Sequence, residues 1–328
     1  MSILDEDGQG VRVTTIQTTV RRRPDEVLGI EGGASRRGST YWRRAIECPR
    51  EHLLANELGW EPAALGDPLT FGLIWHYCLE AYYRVIQEHQ NVFPAFESTK
   101  DYFWGANEEA EIAAYQALVP FAGEPGYEKC FEKISQMLDV YFERYRREDK
   151  WQIVGVEVEL ASEMRHGFEY TTRLDLMVVD HASEPALKII EHKSSYRLDR
   201  NVLEGYTQDF QTIGQVWLVE AELDLEKYPP FVGSVINIVS KESTPKCARS
   251  YCQPSKYVLA SWQRSMQALS VQADYFEALD YPQNFASCSR KFGRCQFFEL
   301  CRTFPDLGVG DLKGMGDPIL GLRRKGAA

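Results

Sequence analysis

The rhythm of apolar and polar positions changes once along the chain, near Trp151. Before it, apolar residues recur every three or four places, as on a helix with one buried face. Phe71, Ile74, Leu79 and Tyr82 mark such a helix, beginning near Thr70. Residues 107–118 and 126–149 continue as helices, separated by the turn-like AGEPG. Upstream, Ser39 or Thr40 caps a helix through YWRRAIECPREHLLANELG, which Gly59 ends. Residues 1–38 are rich in Gly, Arg and Thr with weak periodicity, and read as a flexible arm with a short strand at Val11–Val20.

After Trp151 the period falls to two. VGVEVEL alternates, and FEYTTRLDLMVVD and ALKIIEHKSS follow, each bounded by turn residues. GYTQDFQTIGQVWLVEAEL returns to a helix, FVGSVINIVSK gives another strand, and residues 256–279 make a long helix. Strands, a helix and a further strand define an α/β core: a mixed central sheet flanked by helices, with a helical N-terminal half. The expected organisation is one domain over residues 39–304. Its helical part spans 39–150, its sheet core 151–240, and a C-terminal helix with a cysteine cluster 251–304. A tail follows at 305–328.

Composition alters this picture little. The 328 residues are 44% apolar and 26% charged, ordinary for a globular chain with ample core. No apolar run is long enough to span a bilayer, and MSILDEDGQG lacks the basic-then-apolar pattern of a secretory signal. The expected location is therefore cytoplasmic. A formal net charge of −11 excludes a simple electrostatic coat for nucleic acid. It does not exclude a nucleic-acid enzyme, because divalent cations at a carboxylate-rich site reverse the local sign. Grip on such a substrate would then fall to a local cleft or to a protein partner.

Candidate chemistry begins at LKIIEHKSS. Its apolar half reads as a buried strand, yet it runs straight into Glu191, His192 and Lys193. Residues two apart on a strand share a face, about 6.6 Å apart. Glu191 and Lys193 therefore point together, and His192 points away. Sixteen residues before Glu191, Asp175 interrupts another apolar run. A hairpin around HASEPA would bring the two carboxylates together, where they repel unless a cation sits between them. A hard ion such as Mg²⁺ or Mn²⁺ suits oxygen ligands. A lysine beside it can orient or deprotonate water and stabilise charge on a phosphoryl oxygen. The plain alternative is an exposed ion pair.

The second cluster is cysteine. Of eight cysteines, Cys288, Cys295 and Cys301 share one stretch and Cys48 stands far upstream. In a reducing compartment these are thiols or metal ligands. Four thiolates hold either zinc or an iron–sulfur cluster. The two-residue spacer common in zinc knuckles is absent, which favours the cluster. Cys247 and Cys252 compete for ligand positions.

Asp175, a short loop and Glu191-His192-Lys193 together resemble the signature of the PD-(D/E)XK nuclease superfamily. Gly72-Leu73-Ile74-Trp75-His76 is similar to the G-x-x-x-H element of its RecB-like branch. That branch also carries Q-x-x-x-Y after the lysine strand. Gln211 fits its first position, and Gln215 stands in the tyrosine's place. The branch's preceding strand glutamate is Glu157 or Glu159, and Thr172 replaces a common glycine. Glu47-Cys48-Pro49-Arg50 and QNFASCSRKFGRCQFFELC are similar to elements holding a [4Fe–4S] cluster in AddB and the CRISPR-associated exonucleases. Six residues separate Cys288 from Cys295 here, where two is commoner.

The resemblance implies a restriction-endonuclease-like fold and a metal-dependent DNA exonuclease acting on single strands or free ends. Repair, recombination and phage DNA processing use such enzymes, with a helicase or recombination factor as a possible partner. His76, Asp175, Glu191 and the His192 backbone carbonyl would hold Mg²⁺ or Mn²⁺. Lys193 would assist the attacking water, and Gln211 would hold substrate or site geometry. Cys48, Cys288, Cys295 and Cys301 would hold the [4Fe–4S] cluster. Two rivals stand beside this. One is a catalytically inactive nuclease-fold protein that binds nucleic acid or a partner, supported by Gln215 and Thr172. The other is a structural zinc protein.

Overall fold

A computed structural model describes residues 37–62, 67–92, 100–122, 127–146, 148–165, 168–290, 293–316 and 319–324. The expected strand at Val11–Val20, nearly all of the expected arm and most of the AGEPG turn lie outside the described residues. Helix α1 (Ser39–Glu47) buries Trp42 and Ala45. The single helix expected through Gly59 is broken at Cys48, whose backbone is extended with φ −161° and ψ 111°. Pro49 causes the break, since proline disfavours helical backbone in the residue before it. A turn over Pro49–His52 and a π-helical turn over Leu53–Glu57 resume the path. The kink leaves the Cys48 side chain buried.

Helices α2 (Asp67–Val92), α3 (Lys100–Leu118) and α4 (Glu128–Tyr145) form the helical half, as the periodicity predicts. A short strand β1 (Trp60–Pro62) precedes α2. The central sheet holds β2 (Trp151–Arg165), β3 (Phe168–Asp180), β4 (Ala186–Ser195), β5 (Phe231–Ser240) and β6 (Cys247–Cys252), in that order. Only β4 and β5 run parallel; the other neighbours are antiparallel. The crossover from β4 to β5 carries α5 (Phe210–Glu222), and α6 (Lys256–Asp274) follows β6. This is the expected mixed sheet flanked by helices. Strand β6 was not anticipated, because CARSYC at a sheet edge has too few apolar residues to show alternation. The helix expected from Gly205 starts only at Phe210. There Asp209 accepts hydrogen bonds from the backbone N–H groups of Gln211 and Thr212 and caps it.

Two cores sandwich the sheet. Ile74, Trp75 and Leu79 of α2 and Tyr141 of α4 pack on one face, against Val156, Leu176, Val178 and Ile190. Trp42 of α1, Val216 and Trp217 of α5 and Trp262 of α6 cover the other, against Val158, Leu174 and Ile189. Leu174 and Leu176 are two residues apart yet face opposite cores, and so are their cross-strand partners Val158 and Val156. A regular strand cannot do this. The side chains change faces at Glu157 and Asp175, and Glu157 takes φ +54° to allow it. Left-handed backbone costs a non-glycine residue about 1–2 kcal/mol.

A third core ties the chain's ends together. Leu53, Leu54 and Trp60 pack with Phe297, Leu300, Leu312 and Leu322. Strand β7 (Leu322–Arg324) pairs antiparallel with β1. Arg50 donates to the Leu307 and Asp280 carbonyls at 3.0 and 3.2 Å, and Asn284 donates to the Glu47 carbonyl at 2.7 Å. Among the described residues, no helix is long and apolar enough to cross a membrane.

Candidate active site and cysteine cluster

The face change in β2 and β3 delivers two carboxyl groups to one point beside α2. Ligand atoms of His76, Glu157 and Asp175 all lie within 4.8 Å of one another, the one such group among the described residues. His76 Nδ1 is 3.3 Å from Asp175 Oδ2. Burial alone would lower the His76 imidazole, but the Asp175 charge and contact hold it above the usual histidine value. Burial likewise opposes ionisation of Asp175, yet His76 holds that carboxyl well below its usual range. Burial pushes Glu157 the other way, up to about 8, with Asp175 and Glu80 adding to it and Arg173 opposing. Arg173 Nε lies 2.6 Å from Glu157. Burial first, and then the Asp175 charge, disfavour ionisation of Glu157, while the adjacent His76 favours it at Asp175. The nitrogen and oxygen donors, their burial and this suppressed charge fit a divalent ion. Sequence left Glu157 and Glu159 as alternatives; the structure buries Glu157 in the cluster and leaves Glu159 exposed.

Glu191 sits on the adjoining side of β4. It pairs with Lys193 on the same strand face, the arrangement expected from the spacing. Gln211 Nε2 donates to Glu191 Oε1 at 2.8 Å, while Gln211 Oε1 accepts from Lys193 Nζ at 3.1 Å. Gln215 Nε2 donates to the second Glu191 oxygen at 2.7 Å. The residue standing in the tyrosine's place therefore has a task, fixing the carboxylate that its helix faces. Burial opposes the charge on Lys193, but Glu191 and Asp175 raise its pKa above the usual lysine value. A lysine so held stays an ammonium at neutral pH. In that form it can orient water and neutralise developing negative charge.

The β3–β4 ladder stops at Leu176↔Ile190. Just beyond, the His192 backbone N–H donates to Asp175 Oδ2 at 2.7 Å, joining the two halves of the site. The His192 ring points the other way, as expected. It stacks on Tyr83 with centroids 5.4 Å apart and meets Tyr141 edge-on at 6.0 Å. Burial lowers its pKa to about 3, so the ring is neutral.

The four cysteines of the second cluster come together from the two ends of the chain. Cys48, Cys288, Cys295 and Cys301 line one small cavity, closed in part by Phe297 and Phe298. Burial raises the Cys301 thiol to about 11, and Cys48 and Cys288 nearby add to the shift. Cys247 and Cys252 lie on β6 and do not line this cavity. Thiols that hinder one another's ionisation are a donor set suited to a cationic metal group.

Residues 40–302 match the family model of the PD-(D/E)XK nuclease superfamily, and the chain belongs to that superfamily. The five-stranded mixed sheet with flanking helices is accordingly a restriction-endonuclease-like fold. Nucleases of this superfamily generally use Mg²⁺ or Mn²⁺. Among solved structures, the chain is similar to a candidate exonuclease from Eubacterium rectale, at 12% identity and a TM-score of 0.43, covering 86% of this chain and 90% of that one. It is also similar to SSO0001, at 13% identity and a TM-score of 0.27, covering 60% and 74%. No curated protein matches the chain.

Proposed function

We propose that this protein is a metal-dependent DNA exonuclease of the RecB-like kind, cutting single strands or free ends in repair, recombination or phage DNA processing. The observation that carries the reading is the His76–Glu157–Asp175 cluster, set against the Glu191–Lys193 pair. His76, Glu157 and Asp175, with Glu191 and the His192 carbonyl adjoining, would hold Mg²⁺ or Mn²⁺. Such an ion supplies Lewis acidity to a phosphoryl oxygen and to water when bound. Lys193 stabilises negative charge gathering on the phosphoryl group, and its ammonium orients the attacking water. Gln211 keeps Lys193 aimed by bonding both it and Glu191. Gln215 holds the far Glu191 oxygen, which supports a working site over an inactive one.

Two results follow. Chelation should abolish cleavage, and Mn²⁺ or Mg²⁺ should restore it. Mn²⁺ at about 100 times its Kd should also stabilise the protein by about 2.7 kcal/mol, by binding the folded state alone. His76→Ala should lose most of that stabilisation in a thermal-shift titration. Equal shifts in both proteins would place the metal elsewhere. Gln215→Leu keeps the helix but leaves a Glu191 oxygen without its donor. Supporting contacts of this kind are worth about 10–100-fold in metal affinity or activity. A Gln215→Leu enzyme within twofold of the parent in kcat would remove this role.

At the cysteines we propose a [4Fe–4S] cluster held by Cys48, Cys288, Cys295 and Cys301. What supports a cationic group there is that the four cysteines line one cavity and that burial and the neighbouring thiols oppose ionisation of Cys301. The cluster's task is to lock the α1 turn to the C-terminal segment across the nuclease domain, which we take to span residues 39–304.

A further inference from the structure

Beside the candidate active site, the ends of β4 and β5 meet the first turns of α2 around Lys241. Its backbone N–H donates to the Ser195 carbonyl at 2.7 Å, which sets it two residues beyond Lys193 along β4. The ammonium lies 4.0 Å from the Phe71 ring centroid and 5.0 Å from that of Tyr196. Among the described residues no carboxylate pairs with it; the ionisable group that bears on it is Cys130. Phe71 is buried and belongs to the core, but Tyr196 is 65% exposed. An exposed aromatic ring at the end of the Glu191–Lys193 strand stabilises little in the folded chain. An ammonium held by two rings and by no acid is a cation ready for an anion from outside.

Gly72 lies next to Phe71 and one turn before His76, on the same face of α2. A Cβ at this position would meet nothing within 4 Å. Glycine inside a helix costs roughly 0.5–1 kcal/mol relative to alanine. Among the described residues no neighbour within 4 Å requires a glycine here, which leaves space for a strand of nucleic acid drawn close to α2. Phe71 is about 7.5 Å along the helix from His76. Tyr196 directly follows Ser195, the last residue of β4, and lies three residues beyond Lys193.

We propose that Lys241 and Tyr196, backed by Phe71, form the subsite for the nucleotide next to the scissile phosphate. Lys241 grips its phosphate, Tyr196 stacks on its base, and Gly72 leaves room for the sugar–phosphate backbone. The inference rests on the nuclease reading above and gives it a substrate form. A base must be unpaired to stack, so the subsite takes single strands or frayed ends without regard to sequence.

The test is equilibrium binding of a fluorescent single-stranded oligonucleotide in chelator, so that its outcome is independent of cleavage. Tyr196→Ala should weaken binding of the intact strand roughly 5–150-fold, the range for one stacked base. Against strands carrying abasic sites throughout, the same substitution should change little. Lys241→Gln should weaken all strands alike and lower the slope of log K against log salt by about one. Gly72→Ala should raise the melting temperature while weakening strand binding. Unaltered affinity and salt slope in both Tyr196→Ala and Lys241→Gln, or equal loss on intact and abasic strands in Tyr196→Ala, would overturn the subsite. A less stable Gly72→Ala protein would remove the glycine from it. Absence of cleavage by the unaltered protein would instead strike the nuclease reading and leave these binding outcomes to judge the subsite alone.

Discussion

Asp175→Asn should lower DNA cleavage by about three orders of magnitude, at the upper end of what removal of one key electrostatic group does to an enzyme. The asparagine keeps the size of the side chain and an oxygen for the His192 N–H, which Asp175 now accepts at 2.7 Å. What it removes is the charge that His76 and the neighbouring carboxyl are arranged around. Without that charge the cluster loses the carboxylate that His76 favours in ionised form, while burial already pushes Glu157 up to about 8. The check is single-turnover cleavage at saturating Mn²⁺, with circular dichroism to confirm the fold. A rate above a tenth of the parent's would show that Asp175 is a structural acid and that the metal site lies elsewhere.

The second large effect concerns the chain's ends. Anaerobically purified protein should be brown, contain iron and acid-labile sulfide, and lose visible absorption on reduction. Cys295→Ala should lose the colour and much of the stability. A bound structural metal supplies on the order of 10 kcal/mol of folding free energy, comparable to the whole net stability of a domain. Part of that loss is offset, because Arg50, Asn284 and the Leu54–Trp60–Leu322 core also join the ends. A fall of about 10 °C or more in melting temperature is therefore expected, with limited proteolysis opening first near residues 284–301. Colourless protein carrying zinc and no iron would replace the cluster by a zinc site. Undiminished stability in Cys295→Ala would remove the clamp altogether.

The sequence exposed some parts of this site and hid others for physical reasons. Strand periodicity put Glu191 and Lys193 on one face because a regular strand leaves no other choice, and the pair is there. His192 was placed on the opposite face by the same rule. The rule fails at Glu157 and Asp175, where the strands change faces. VGVEVEL alternates without a flaw, so nothing local marks the φ of +54° that buries Glu157 and exposes Glu159. The partners of that change are distant in sequence: Val156 and Val158 on either side of Glu157 pack into different cores. Strand β6 is hidden by its edge position, whereas the break at Cys48 is legible in Pro49. Gln215 departs from the resemblance in type, yet its amide reaches Glu191. Lys241 and Tyr196 have no spacing signal at all, because α2, β4 and β5 bring them together only in three dimensions.

The most direct measurement is the fate of DNA labelled at one end, single-stranded and duplex, given to the unaltered metal-replete protein with Mn²⁺ or Mg²⁺. The expected result is metal-dependent hydrolysis that shortens the strand from a free end, faster on single strands, and stops on chelation. No cleavage of either substrate with either metal, by protein shown to bind Mn²⁺, would contradict the account and leave a nuclease fold that binds without cutting.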